Sequence, residues 1–203
     1  MKKVFSLLAV ALMAATASAQ IVSSNSRNET NEPGECPAYN RLSLNYQQIK
    51  ASSHGISTDG INGVNVEFLH GFNVLKSQPL YVETGISATY ANNEEIAKAI
   101  RIGVPVNLAY KYTFQSANVW VQPYAGLDLI CNAYVSTYLD EEKDIDTNYK
   151  RVQGGWHIGA NIGYKRVNLG LKYGSDFTNL IGESLFFSAV QTKSFTIGLG
   201  YNF

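Results

Sequence analysis

Charge is scarce in this sequence and balanced where it occurs. Sixteen basic residues stand against sixteen acidic ones, and charged residues make up only 16% of the chain. A neutral chain has no electrostatic footprint for nucleic acid, so nucleic acid is not expected as a partner. Cysteine is nearly missing: Cys36 and Cys131 permit one bridge in an oxidising compartment but form no disulfide framework. Long apolar runs are missing as well. Beyond residue 20 none approaches the roughly 20 residues that a membrane-spanning helix requires. That excludes helical insertion and leaves a closed β-barrel as the other way to satisfy every backbone group in lipid.

What is present begins with an export signal. Lys2 and Lys3 precede the apolar stretch "VFSLLAVALMAATA", and Ala17-Ser18-Ala19 supplies a small-residue cleavage site before Gln20. Residues 1–19 therefore read as a signal peptide. No cysteine follows the cleavage site to carry a lipid anchor there. Residues 20–38 are polar and without periodicity, which reads as a flexible periplasmic leader. The remainder, 39–203, has the size of one domain.

From Arg41 onward the chain alternates with period two. Leu42, Leu44 and Tyr46 share one face, as do Val64, Val66, Phe68, Phe72 and Val74, with His70 interrupting. The pattern recurs about eight times over segments of roughly ten residues and ends in "SFTIGLGYNF", which is a strand signal. The intervening connections run roughly fifteen, five, eight, six, twenty, two and twenty residues, long alternating with short. The predicted fold is all-β: an eight-stranded antiparallel up-and-down transmembrane β-barrel with both termini on the periplasmic side.

Alternation alone also fits a soluble barrel that turns its apolar face inward around a ligand. Three features favour lipid outside, one of them the terminal Phe203 itself. The polar face carries Gly85, Gly103, Gly126, Gly159, Gly163, Gly170, Gly198 and Gly200, small residues that suit a narrow interior. On the apolar face, Tyr110, Tyr112, Tyr164, Tyr201 and Phe203 gather at one end, and Tyr46, Tyr90, Trp156 and Tyr173 at the other. Two aromatic girdles around an aliphatic band match the two membrane interfaces.

The segments "RIGVPVNLAYKYTF", "VQPYAGLDL", "YKRVNLGLKYGSDFTNL" and "FTIGLGYNF" resemble the outer-membrane β-barrel domain family common in Bacteroidetes. That group includes PorT-like proteins and shares the eight-stranded OmpA-like architecture. The resemblance covers about residues 40 to 203 and implies the cell outer membrane as location. It also implies a C-terminal assembly signature at Tyr201 and Phe203, read by the barrel-assembly machinery. It assigns no activity.

In this register Arg41, Glu67, Glu83, Arg101, Lys111, Asp128 and Lys172 point inward with His157, Asn107 and Asn161. The interior of so small a barrel is filled by side chains, and buried charges must pair. A salt-bridge network that plugs the lumen is therefore expected, with Asp128 diagonally across from Arg101; a narrow porin-like channel for small solutes is the rival. His54 beside Ser52 and Ser53, and the inward His157, raise a lipid-modifying hydrolase or acyltransferase without showing a catalytic spacing. No catalytic, cofactor-binding or metal residue is assigned. Asp144, Asp146 and Asn148 imitate the start of a calcium loop but lack its glycine and closing glutamate. Leu180, Ile181, Leu185, Phe186 and Phe187 are oddly apolar for a loop. They either cap the barrel mouth or form a patch for an extracellular or envelope protein. The expected function is structural or surface-interacting and non-enzymatic, with outer-membrane lipid and lipopolysaccharide as surroundings. Cys36 and Cys131 fall at opposite ends of the strands, too far apart to bridge.

Overall fold

The computed structural model describes residues 36–53, 56–57, 60–75, 78–93, 97–114, 116–137, 151–178 and 191–203. The predicted signal peptide, residues 20–35 of the predicted leader, His54, the acidic stretch around Asp144 to Asn148, and Leu180 through Phe187 lie outside the described residues.

Among the described residues eight long strands follow one another: β1 Tyr39–Ser53, β2 Ile61–Leu75, β3 Gln78–Asn93, β4 Ala97–Tyr110, β5 Val119–Thr137, β6 Val152–Tyr164, β7 Val167–Asp176 and β8 Gln191–Asn202. Each pairs antiparallel with its sequence neighbours, and β8 returns to β1 from Arg41↔Asn202 to Ser52↔Gln191. Two short pieces join the ladder: Ile56–Ser57 folds back on β1, and Tyr112–Phe114 prolongs the line of β4 beside β5. The seam is tied by reciprocal backbone bonds, Asn40 N to Phe203 O at 3.0 Å and Phe203 N to Asn40 O at 2.9 Å. Every long strand of the described residues has a partner strand on each side, which is what lets a β-structure sit in lipid.

Side-chain direction follows the period. Leu44, Val104, Leu127 and Ile162 are exposed on the outer surface, Leu127 to 59%, while Arg101 retains 8% of its exposure inside. A wall of exposed Leu, Val and Ile around a polar interior reverses the arrangement of a soluble barrel and fits hydrocarbon. Phe203 lies outward beside Phe68 and stacks on Tyr201, with ring centroids 6.3 and 6.4 Å away. His70, also outward, bonds Asn40 through Nδ1 at 2.7 Å and packs edge-on to Phe72.

The strands run 10 to 19 residues, longer than the sequence pattern indicated. Only about 9–11 tilted residues are needed to cross the membrane. The excess has a physical cause. Tyr46, Val64, Tyr90, Ile100 and Tyr134 make one cross-strand row on the outer surface, and the next outward row, Gln48, Asn62, Asn92, Lys98 and Ser136, is wholly polar. At the same height Ile49, Ile61, Ala91 and Ala99 are buried inside and pack with Ala97 and Val135. Sidedness therefore inverts where the wall leaves the lipid, and an inner apolar layer keeps the strands paired in water. That layer absorbs residues assigned above to loops: β3 and β4 are separated only by 94–96, so long and short connections do not alternate strictly. The last long connection likewise shrinks, because β7 runs through Asp176 and β8 starts at Gln191.

Cys36 is half-buried near the start of β1, Cys131 is exposed on the outer face of β5, and both are free. Alkylation of the unfolded, unreduced protein is expected to tag two thiols; a mapped Cys36–Cys131 bridge would contradict this topology.

Candidate functional site

The chemistry of the barrel lies in its lumen, where successive strands each contribute inward side chains at alternate positions. Four layers stack beneath the apolar one. Nearest the short turns, Tyr39, Tyr81 and Ala109 are buried together, and Trp120 lies across Gly163 with its Nε1 donating to the Lys165 carbonyl at 2.9 Å. Lys111 enters here. Its Nζ sits 4.9 Å from the Tyr39 ring centroid and 4.6 Å from that of Trp120. No carboxylate among the described residues comes within ion-pair distance of it. Cation–π contacts thus take the place of the ion pair expected of Lys111, because two aromatic faces lie closer than any acid.

The second layer is built around Glu83, which is 0% exposed. Arg41 Nη2 donates to both Glu83 oxygens at 2.9 Å, while Nη1 donates to Gln122 Oε1 at 2.7 Å. Glu83 also accepts from Asn107 Nδ2 at 2.9 Å, from Gln122 Nε2 at 3.2 Å and from the Tyr39 hydroxyl, and that hydroxyl accepts from Gln122 Nε2. Strands β1, β3, β4 and β5 are thereby tied through one carboxylate. In a dry interior a charge with this many partners is held far more tightly than a surface pair.

In the third layer Lys172 Nζ meets Glu67 Oε2 at 2.7 Å across the lumen. His157 occupies the same region, with Nδ1 2.5 Å from Asp128 Oδ2 and Nε2 2.6 Å from Asn107 Oδ1. Asn107 Nδ2 is already committed to Glu83, so its oxygen is the atom facing His157. Both imidazole nitrogens consequently face acceptors. Higher still, Arg101 Nη2 pairs with Asp176 Oδ2 at 2.9 Å, and Asp176 also accepts from the Thr192 hydroxyl. Beside it, Asn45 Nδ2 donates to Asn65, Asn65 Nδ2 to Thr89, and Thr89 to Gln47, at 2.8, 2.9 and 2.9 Å.

The partnership of Arg101 with Asp128 is corrected by this geometry. Phe114 pairs with Val119 across a four-residue turn, tighter than the hairpin the sequence suggested, which slides the β4–β5 register by two residues. Faces are preserved, but Asp128 lies opposite Pro105 and Arg101 opposite Asn132. Arg101 then reaches across to β7. Asp176 carries no inward signal in the sequence because "SDFTNL" reads as the start of a loop, although Lys172, Gly174 and Asp176 continue the inward alternation. Tyr39 and Gln122 carried no signal beyond that same period.

Two small cavities lie between the layers among the described residues. One cavity of about 40 Å³ is lined by Arg101, Asp128, His157, Lys172 and Asp176, and a second of about 20 Å³ by Arg41, Glu67, Tyr124 and Lys172. Cavities of this size admit one or a few waters. Charges balance along the axis: Arg41, Arg101, Lys111 and Lys172 against Glu67, Glu83, Asp128 and Asp176.

A closed eight-stranded barrel with an apolar wall and a charged lumen defines the class, and the comparisons agree. The family model described as outer membrane protein beta-barrel domain matches residues 5–203. The chain belongs to that family, and its location is the outer membrane. No protein of curated function matches it. Neisserial surface protein A is similar in fold at 16% identity and TM-score 0.52, covering 83% of this chain and 100% of its own. The outer membrane enzyme PagL is similar at 10% identity and TM-score 0.52, covering 77% and 98%. At these identities the likeness speaks for the fold alone.

Proposed function

We propose that this protein is a non-enzymatic outer-membrane barrel with a structural or surface-interaction role, its lumen plugged by the salt-bridge network. The observation that carries this reading is the Glu83 cluster together with the two small cavities, of about 40 and 20 Å³, that lie between the charged layers. A solute would have to break paired, desolvated charges to pass, and breaking a buried pair costs about 3–5 kcal/mol. Residues 1–19 direct export, and Tyr201 and Phe203 serve the assembly machinery. The motifs from "RIGVPVNLAYKYTF" to "FTIGLGYNF" favour the PorT-like group of Bacteroidetes. Leu185, Phe186 and Phe187 are the candidate patch for an extracellular or envelope protein, and cross-linking in intact cells followed by pull-down tests for it.

The enzymatic alternative gains nothing from His157. A general base needs a ring nitrogen free to take a proton from its nucleophile, and both nitrogens are engaged by Asp128 and Asn107. Deleting the gene is expected to leave lipid A unchanged. In planar bilayers the purified protein is expected to show no stable, large single-channel conductance; sustained conducting events would replace the plug with a narrow channel.

A further inference from the structure

We propose that Lys50 and Lys193 form a binding site for the phosphate of an anionic lipid at the outer rim of the barrel. The two lysines are direct cross-strand partners on the β1–β8 seam, and both are exposed on the outward face. Like charges set opposite each other on neighbouring strands repel. Neither lysine makes an ion pair among the described residues. Among the described residues no acidic side chain offsets that repulsion. The described carboxylate side chains, Glu67, Glu83, Asp128 and Asp176, all face the lumen, whereas the exposed charged side chains of the described barrel are cations.

The height of the pair selects the ligand. One outward row runs Trp156, Ser175, Lys193, Lys50, and the row beneath it runs Ile158, Tyr173, Phe195, Gln48. Trp156 and Tyr173 pack edge to face with centroids 6.1 Å apart. Interfacial aromatics fix this as the level where lipid tails give way to headgroups. Lysines at such a level can lay their stems on apolar surface while their ammonium groups reach up to the polar layer. A phosphate there can accept from both ammonium groups at once and cancel their repulsion. A zwitterionic headgroup carries its own cation and competes with them, so a phosphorylated lipid without one is the better partner. This inference rests on the membrane placement of the barrel and is independent of whether the lumen is plugged.

The test uses the full mature protein refolded in phosphatidylcholine vesicles, with or without bisphosphorylated lipid A. Wild type is expected to retain lipid A through detergent exchange, measured by mass spectrometry. Retention should fall roughly fivefold for each lysine removed in Lys50→Gln and Lys193→Gln, and should survive in the charge-keeping Lys50→Arg/Lys193→Arg variant. In plain phosphatidylcholine, Lys50→Gln should unfold at the same or a higher urea concentration than wild type, since the repulsion is gone. Unchanged retention in the double glutamine variant overturns the site. An equal loss in Lys98→Gln overturns it too, because binding would then be a diffuse surface effect. If inorganic phosphate added to neutral vesicles raises wild-type stability as lipid A does, the bound species is the free anion and the lipid assignment fails.

Discussion

Replacing Glu83 with alanine is expected to destabilise the folded barrel by about 3–5 kcal/mol, more than any other single change in the lumen. The loss is not that of one ion pair. Glu83 satisfies Arg41, Asn107, Gln122 and Tyr39 together, and Arg41 keeps only 2% of its exposure, so its charge would remain inside with no carboxylate beside it. Urea unfolding in lipid vesicles, followed by tryptophan fluorescence and by the heat-dependent gel mobility of folded barrels, measures this directly. Removing both charges separates pairing from packing: Arg41→Met combined with Glu83→Leu should recover much of the loss, since an apolar pair of similar volume is often as stable as a buried ion pair. Were Glu83→Ala as stable as wild type, the network would be incidental to the fold, and the plug would lose its main support.

The sidedness of the wall was legible in the sequence because it depends only on a period of two. Val104, Leu127 and Ile162 face out and Arg101 faces in, as alternation requires. The partners of the charges were not legible. Lys172 finds Glu67 at a separation of 105 residues, and Arg101 finds Asp176 at 75. Such contacts are set by barrel curvature and by the register of several hairpins in series. A two-residue change in one turn left every face intact yet took Asp128 from Arg101 and gave it to His157. Strand ends were obscured for another reason. Above the lipid the pattern inverts, with Gln48 and Lys98 outside and Ile49 and Ala99 inside. A single template of apolar-out alternation therefore stops where the membrane stops, while the strands continue.

The second large effect is expected at Gly85, which should tolerate no added carbon even though it lies on the inward face of the wall as Gly103 does. A Cβ at Gly85 would lie 1.9 Å from the Phe68 carbonyl oxygen and 2.9 Å from the Leu69 Cα, both backbone atoms of β2. The neighbouring ladder explains the close approach. β3 and β4 pair at Thr84↔Val106 and again at Ser87↔Gly103, with no partner recorded for Gly85 and Ile86 between them. The register sets Gly85 against Pro105, which has no N–H to donate. β3 can lean toward β2 at this point only because Gly85 has no side chain. Gly85→Ala must push two backbones apart, a cost of about 1–3 kcal/mol or more. At Gly103 the nearest obstacle is the Ser87 hydroxyl at 2.6 Å, and the next atom is 3.8 Å away. A hydroxyl can rotate, so Gly103→Ala should unfold at nearly the wild-type urea concentration in the same vesicles. Equal midpoints for the two variants would mean that lumen volume, rather than this backbone contact, determines where the barrel needs glycine.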